Sequence, residues 1–326
     1  MRRDAAAPFN SKKADIVLRS LDDVYFRVYR CLLAFSSPFF DSLFDLPRPQ
    51  VPSPHEEMYE GLEVIPVTEN SQALDMLLRF CYPPTVDDPH LEDAVEVEEV
   101  LEAAVKYGME EVEQKVRRVL LEPSILEKEP LHVFAISYRF RYESEARAAA
   151  KCLLRQPTPP ADSTTLKYVS QGDLRSLAAY RTKCAQAVLA LGNNLSWLQE
   201  KESYGFFKWW TNCCMCTQRA DIRFLLHGAY AREWWVEYME ETLAILQETP
   251  CAVAVYQSEE KALLRAAGCA FCRRKSQPYM SDFVQRFAEA VDETVAGVSA
   301  YLPRCSLLAY TKDSIRFHLG YHCKRG

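Results

Sequence analysis

Two pairs of cysteines at two-residue spacing, Cys213-x-x-Cys216 and Cys269-x-x-Cys272, are the residues of this chain best suited to a chemical task. A gap of two residues lets both sulfurs of a pair reach one ion from a tight turn or a helix end. Two such pairs can therefore close a tetrahedral four-cysteine site for zinc. With four protein ligands the ion has no open position at which to activate water, so its role would be structural. Four thiolates around a divalent ion carry excess negative charge. Arg273, Arg274 and Lys275 follow the second pair and are placed to offset it, while Trp209, Trp210 and Phe271 are placed to shield the sulfurs. Cys214 is a substitute ligand. The 52 residues between the pairs exceed the roughly 15–20 of a short zinc ribbon, so a helix bearing Trp234, Trp235 and Tyr238 has to fold back between them. The competing interpretation is four unligated cysteines on buried helix faces, where Cys serves as a small hydrophobe. A redox pair is the weakest interpretation. Such thiolates work at a helix start beside a βαβ unit, and both pairs are expected in helical sequence away from strands.

Other chemistry finds little support. Cys305, His318 and His322 have the gaps of half a C2H2 finger, and Cys323 follows, but no partner cysteine precedes Cys305: residues 300–303 read Ala, Tyr, Leu, Pro. A formal net charge of −6 also opposes a general affinity for nucleic acid or anionic membranes. There is no Gly-rich phosphate loop, His-Glu-x-x-His or Gly-x-Ser-x-Gly. The histidines at 55, 90, 132, 227, 318 and 322 do not gather near a nucleophile. Acidic runs such as Glu56-Glu57, Asp87-Asp88 and Glu98-Glu99 read as solvated loops and helix starts, where negative charge suits the helix dipole. An enzyme would instead need a polar pocket with perturbed titratable groups in the helical region. No apolar run is long enough for a membrane span, and the opening MRRDAAAPFNSKKAD lacks a signal-peptide core. Cytosol or nucleus is the expected compartment, and the 12 cysteines are then thiols or metal ligands and not a disulfide framework.

The elements that must position these residues can be read from periodicity. Ile16 and Leu18 alternate with Val17 and Arg19, and Val24, Phe26 and Val28 alternate with Tyr25, Arg27 and Tyr29. Two strands joined at Asp22-Asp23 make a hairpin. Ser37-Pro38 opens a helix whose apolar face holds Phe39, Phe40, Leu43 and Phe44. The four prolines within 46–60 mark a loop, and EVIPV (63–67) a short buried strand. A helix opened by Asn70-Ser71 carries Leu74, Leu77, Leu78 and Cys81 and ends at Pro83-Pro84. The next carries Val97, Val100, Leu101, Ala104 and Val105 up to Gly108, and another runs over 110–121. Helices over 129–141 and 143–155 precede the linker-like QPTPPADSTT. Beyond it helices are predicted over 173–191, 220–248, 258–274 and 280–299. Trp235, Tyr238 and Met239 share a face with Leu243 and Leu246. Adjacent tryptophans cannot point the same way on a helix, so one of Trp234 and Trp235 is expected to be less buried and able to anchor a partner.

Taken in order, ADIVLRS, YRCLLAFSSPFFDSLF, EVIPV, ALDMLLRFCYPP and EEVLEAAVKYGMEEVEQKVRRVL resemble the BTB/POZ domain. Asp15 stands where the family opens its first strand, Phe26 to Tyr29 match its F-x-x-H turn, and Ser37 to Phe40 its S-x-x-F helix start. Leu77, Leu78, Phe80 and Tyr82 match its L-L-x-F-x-Y helix end, and Ala104 to Met109 its A-x-x-Y-x-M helix. Tyr29 replaces the family's usual His, and the arm before the first strand is shorter than the one many members exchange across a dimer. The rest of the chain is similar to the helical, Cys-x-x-Cys-containing region of a group of fungal BTB proteins. The resemblance implies an α+β protein, with a BTB/POZ-like N-terminal module (a small sheet flanked by helices) over 11–121. A helical extension (122–156), a linker (157–172), a mainly α-helical C-terminal domain (173–300) and a tail (301–326) would follow. It also implies non-catalytic protein binding: self-association, transcriptional corepressors, or the cullin scaffold of a ubiquitin ligase. The cullin contact would fall on Phe39, Phe40, Leu43, Phe44 and the 46–60 loop with Tyr59. Most of those aromatics also suit the core, and the loop does not reproduce the family's short hydrophobic cullin motif. A transcription-related regulator acting through protein partners is the alternative, and an enzyme with its active site in the helical domain a more distant one.

Overall fold

The apolar alternation on either side of Asp22-Asp23 folds into a hairpin in a computed structural model that describes residues 3–46, 57–83, 89–156, 171–198, 213, 215–226 and 229–298. The chain divides into two compact units, one within residues 1–129 and the other within 130–305. The first unit holds strands β1 (Arg3–Asp4), β2 (Ile16–Arg19), β3 (Val24–Val28), β4 (Met58–Tyr59) and β5 (Leu62–Pro66) in the order β1-β3-β2-β5-β4. β2 pairs antiparallel with β3, setting Ile16 opposite Val28 and Leu18 opposite Phe26, and parallel with β5 through Val17 and Val64. Asp23 turns the hairpin with φ at 60°, a left-handed geometry that Asp tolerates better than most residues. Both faces of the central strands are covered: Ile16, Leu18 and Phe26 are buried on one, and Val17, Tyr25 and Val64 form a small core on the other against Tyr59 and Leu62.

Among the described residues six helices complete this unit: α1 (Arg30–Ser36), α2 (Pro38–Phe44), α3 (Ser71–Cys81), α4 (Ala94–Lys106), α5 (Glu110–Val119) and α6 (Pro123–Leu126). Their ends follow local chemistry. The Ser37 hydroxyl accepts from Phe40 N–H at 3.2 Å and donates to the Tyr107 carbonyl at 2.6 Å, so one side chain starts α2 and ties it to the end of α4. Asn70 caps α3 through Ala73 N–H, Asp93 caps α4 through Val95 and Glu96, and Gly108 ends α4 at φ 67°.

The second unit contains α7 (Pro130–Phe140), α8 (Glu143–Leu153), α9 (Gln171–Asn193), a ribbon of β6 (Leu225–Leu226) and β7 (Ala229–Tyr230), α10 (Glu233–Glu248), α11 (Ala252–Tyr256), α12 (Glu259–Ala267) and α13 (Ala270–Val298). Two expectations are corrected. The helix predicted over 220–248 starts only at Glu233, because the preceding residues pair as the ribbon and as an antiparallel bridge between Gln218 and Arg232. The helices predicted over 258–274 and 280–299 break at Gly268 and not at Pro278: α13 runs through the proline, which lies on its exposed side. There the carbonyl left without a helical donor can meet water. Phe283 centres an aromatic core, 5.5 Å from Trp235, 5.9 Å from Phe287 and 6.2 Å from Tyr238 by ring centroids. Residues 157–170 of the expected linker and the whole 301–326 tail lie outside the described residues.

Candidate functional site

Cys213 and Cys216 flank a short turn, and the N–H of Met215 donates to the Cys213 sulfur at 3.4 Å. Cys269 immediately precedes α13, and Cys272 lies buried in its first turn. Across the pairs, Cys213 Sγ is 3.6 Å from Cys269 Sγ and Cys216 Sγ is 3.5 Å from Cys272 Sγ. All four sulfurs lie within 4.8 Å of one another, and each cysteine is a free thiol. A tetrahedral zinc with Zn–S near 2.3 Å needs sulfurs about 3.8 Å apart. The present separations thus bracket that edge length, and the four cysteines could hold one metal ion. The backbone favours ligation. The N–H of Cys272, aimed at the Cys269 sulfur, pulls that thiol down to about 6, as expected at a helix start. Burial pushes the Cys216 thiol up and the Cys272 thiol up to about 11. Burial opposes bare thiolates at these two positions, whereas a soft cation placed among them would favour deprotonation.

The surroundings differ from those predicted. Arg273, Arg274 and Lys275 are exposed: Arg273 Nε donates to the Ala267 carbonyl at 2.8 Å, and the Lys275 ammonium sits 5.0 Å from the centroid of the half-buried Phe271 ring. The first pair is not in helical sequence away from strands. Arg219 N–H donates to the Ala231 carbonyl and Glu233 N–H to the Thr217 carbonyl, so the chain leaving Cys216 runs antiparallel to the start of α10. That lining segment, with α9, α11 and α12 packed on α10, corrects the expectation for the tryptophans: Trp234, Trp235 and Val236 are all buried, and neither indole is an outward anchor. Sequence reasoning also missed Arg232, whose 5% exposed side chain donates to the Cys216 carbonyl at 3.2 Å. Within GAYAREWW it read as one more polar residue in a helix. Trp209, Trp210, Cys214, Cys305, His318, His322 and Cys323 lie outside the described residues.

On the first unit, Phe40 is buried and packs against Phe39, Phe44 and Tyr107 with centroids 4.9–6.0 Å apart. Phe39, Leu43 and Phe44 are half-buried, and the Arg30 guanidinium covers the Phe44 ring at 5.0 Å. Tyr59 stacks on Tyr25 at 4.5 Å and donates to Asp4. Of the 46–60 loop, residues 47–56 lie outside the described residues. The most exposed large apolar side chain among the described residues is one that periodicity did not single out: Phe35 on α1, 92% exposed.

A sheet of this order, enclosed by short capped helices, is matched by comparison with known families. Residues 7–124 match the family model of the BTB/POZ domain. The chain therefore contains a BTB/POZ domain, followed by a mainly helical second unit that carries a four-cysteine cluster. Domains of this family are typically non-catalytic protein-interaction modules. A search of curated proteins finds no match to the chain. Among the described residues, no helix is long and apolar enough to cross a membrane.

Proposed function

We propose that this protein is a non-catalytic adaptor that docks a protein partner on the α1–α2 face of its BTB/POZ domain. Its helical unit, held together by a structural zinc at Cys213, Cys216, Cys269 and Cys272, presents a second binding surface. The observation that carries the docking surface is Phe35: a phenyl ring 92% exposed gains on desolvation by a partner, and such side chains act as interface anchors. Phe39, Leu43 and Phe44 on the next helix supply half-buried apolar area in the same stretch of chain, and Tyr59 is a further candidate at the sheet edge. In the helical unit, Tyr180, Cys184 and Tyr238 are shifted upward chiefly by burial. Desolvation within a packed core accounts for these shifts without a catalytic site.

The partner class to test first is the cullin scaffold of a ubiquitin ligase. Titration of the full-length protein with the N-terminal domain of the BTB-associated cullin is expected to give micromolar or tighter binding. Phe35→Asp should weaken it at least tenfold, the effect of losing about 1.4 kcal/mol, while leaving thermal unfolding nearly unchanged. Absence of binding by a folded sample would remove the ligase role and direct the search to self-association or other protein partners. Equal binding by the Phe35 variant would take the contact away from α1.

A further inference from the structure

We infer that Arg232 is the positioning residue of the first cysteine pair in the four-cysteine centre, an inference that rests on reading that centre as a metal site. Three observations converge on it. First, its main chain starts α10: the Arg232 carbonyl accepts from Trp235 N–H at 3.0 Å and from Val236 N–H at 3.1 Å. Second, on either side of it the loop from the first cysteine pair is hydrogen-bonded in place, by Arg219 N–H to the Ala231 carbonyl at 3.2 Å and Glu233 N–H to the Thr217 carbonyl at 3.1 Å. Third, the side chain is buried and returns to the same loop. Nη1 donates to the Cys216 carbonyl at 3.2 Å, and the Gln218 amide oxygen, turned toward the guanidinium, accepts at 3.0 Å.

The planar guanidinium fork can hold the Cys216 and Gln218 oxygens together, which fixes the direction from which the Cys216 sulfur approaches the ion. Groups that orient ligands in this way commonly change metal affinity about 10- to 100-fold when removed.

The test uses the full-length protein stripped of metal and titrated with cobalt(II), followed by thiolate-to-cobalt charge-transfer absorption and by competition with a chelator. The wild type is expected to bind one equivalent. Arg232→Met should bind about 10- to 100-fold more weakly, and Arg232→Lys, which keeps the charge but loses the planar fork, should also bind at least about tenfold more weakly. A wild type that binds no cobalt removes the metal reading itself. A wild type that binds while Arg232→Met binds equally well overturns the role of Arg232 and leaves the metal site standing. Where the neutral variant does not fold, Arg232→Lys decides. A loss of about tenfold or more supports the positioning role, and near wild-type affinity overturns it.

Discussion

A thiol becomes a ligand through its neighbours, and the two cysteine pairs differ in how their neighbours act. Cys269 stands at the start of α13, where backbone N–H groups favour the thiolate. Cys213 receives the Met215 N–H in a turn, and burial holds the Cys272 thiol above its ordinary range. Cys272→Ser is therefore expected to lose stoichiometric zinc by elemental analysis and to unfold several degrees lower. Cys184→Ala, a buried cysteine outside the cluster, should keep the metal. A second residue with a defined electrostatic role is Asp22. It accepts from Ser71 N–H and Oγ, both at 2.7 Å, and from Ser20 Oγ at 2.8 Å, tying the β2–β3 turn to the first turn of α3. Partial burial raises its pKa, but these donors outweigh that effect and hold the carboxyl below its ordinary value. Its contribution is then complete above about pH 4 and is lost as pH falls through the folded-state value. Asp22→Asn should lower stability by less than about 1 kcal/mol near neutrality, since the group is partly exposed. The difference should vanish in acid, as urea unfolding at several pH values would show.

At the scale of elements, the helical unit is held by contacts between helix ends as much as by apolar faces. Arg181 on α9 donates to the Leu153 carbonyl at 3.0 Å, the Gln156 carbonyl at 2.5 Å and the Glu248 carbonyl, so one guanidinium satisfies the C-terminal ends of α8 and α10 together. Arg181→Ala should cost about 1–3 kcal/mol by denaturant unfolding. Gly192, further along α9, lets α10 approach closely: a Cβ at this position would lie 2.0 Å from Cδ2 of the buried Leu243. Gly192→Ala is expected to cost about 1–3 kcal/mol through overpacking, and trimming Leu243 to Ala in the same chain should recover part of that loss. Elements of the first unit were legible because turn and cap residues agree with the apolar period: Ser37, Asn70 and Gly108 sit where the helices change. The second unit was less legible. Pro278 is the stronger breaker locally, yet α13 passes through it on a solvent-facing side, and the break falls at Gly268, where the chain must turn to set Cys269 at the head of a helix. Nor could periodicity show the ribbon before α10, since its strands are two residues each, or the bridge between Gln218 and Arg232, which joins residues distant in sequence.

For the whole molecule, two units imply two responses. Chelation of metal from the intact protein should lower the unfolding temperature of the segment within 130–305 and leave that of the segment within 1–129 in place. Hydrogen exchange read segment by segment would show this, and equal loosening of both would contradict a metal confined to the second unit. The residue order alone was enough for the α+β character of the first unit, its BTB/POZ resemblance, the helical nature of most of the second and the four cysteines as candidate ligands. Each of these depends on local spacing: alternation in strands, helical stripes, caps at fixed offsets, and a two-residue gap that only a turn or helix end can satisfy. Folding in three dimensions settled the matters that depend on distant neighbours. It brought two pairs 52 residues apart within bonding reach of one ion. It buried both Trp234 and Trp235, left Phe35 exposed, and buried Arg232 against the Cys216 carbonyl while Arg273, Arg274 and Lys275 stayed exposed. Burial and electrostatic contact are properties of the packed interior, and a residue's place there is set by chain that the local pattern does not contain.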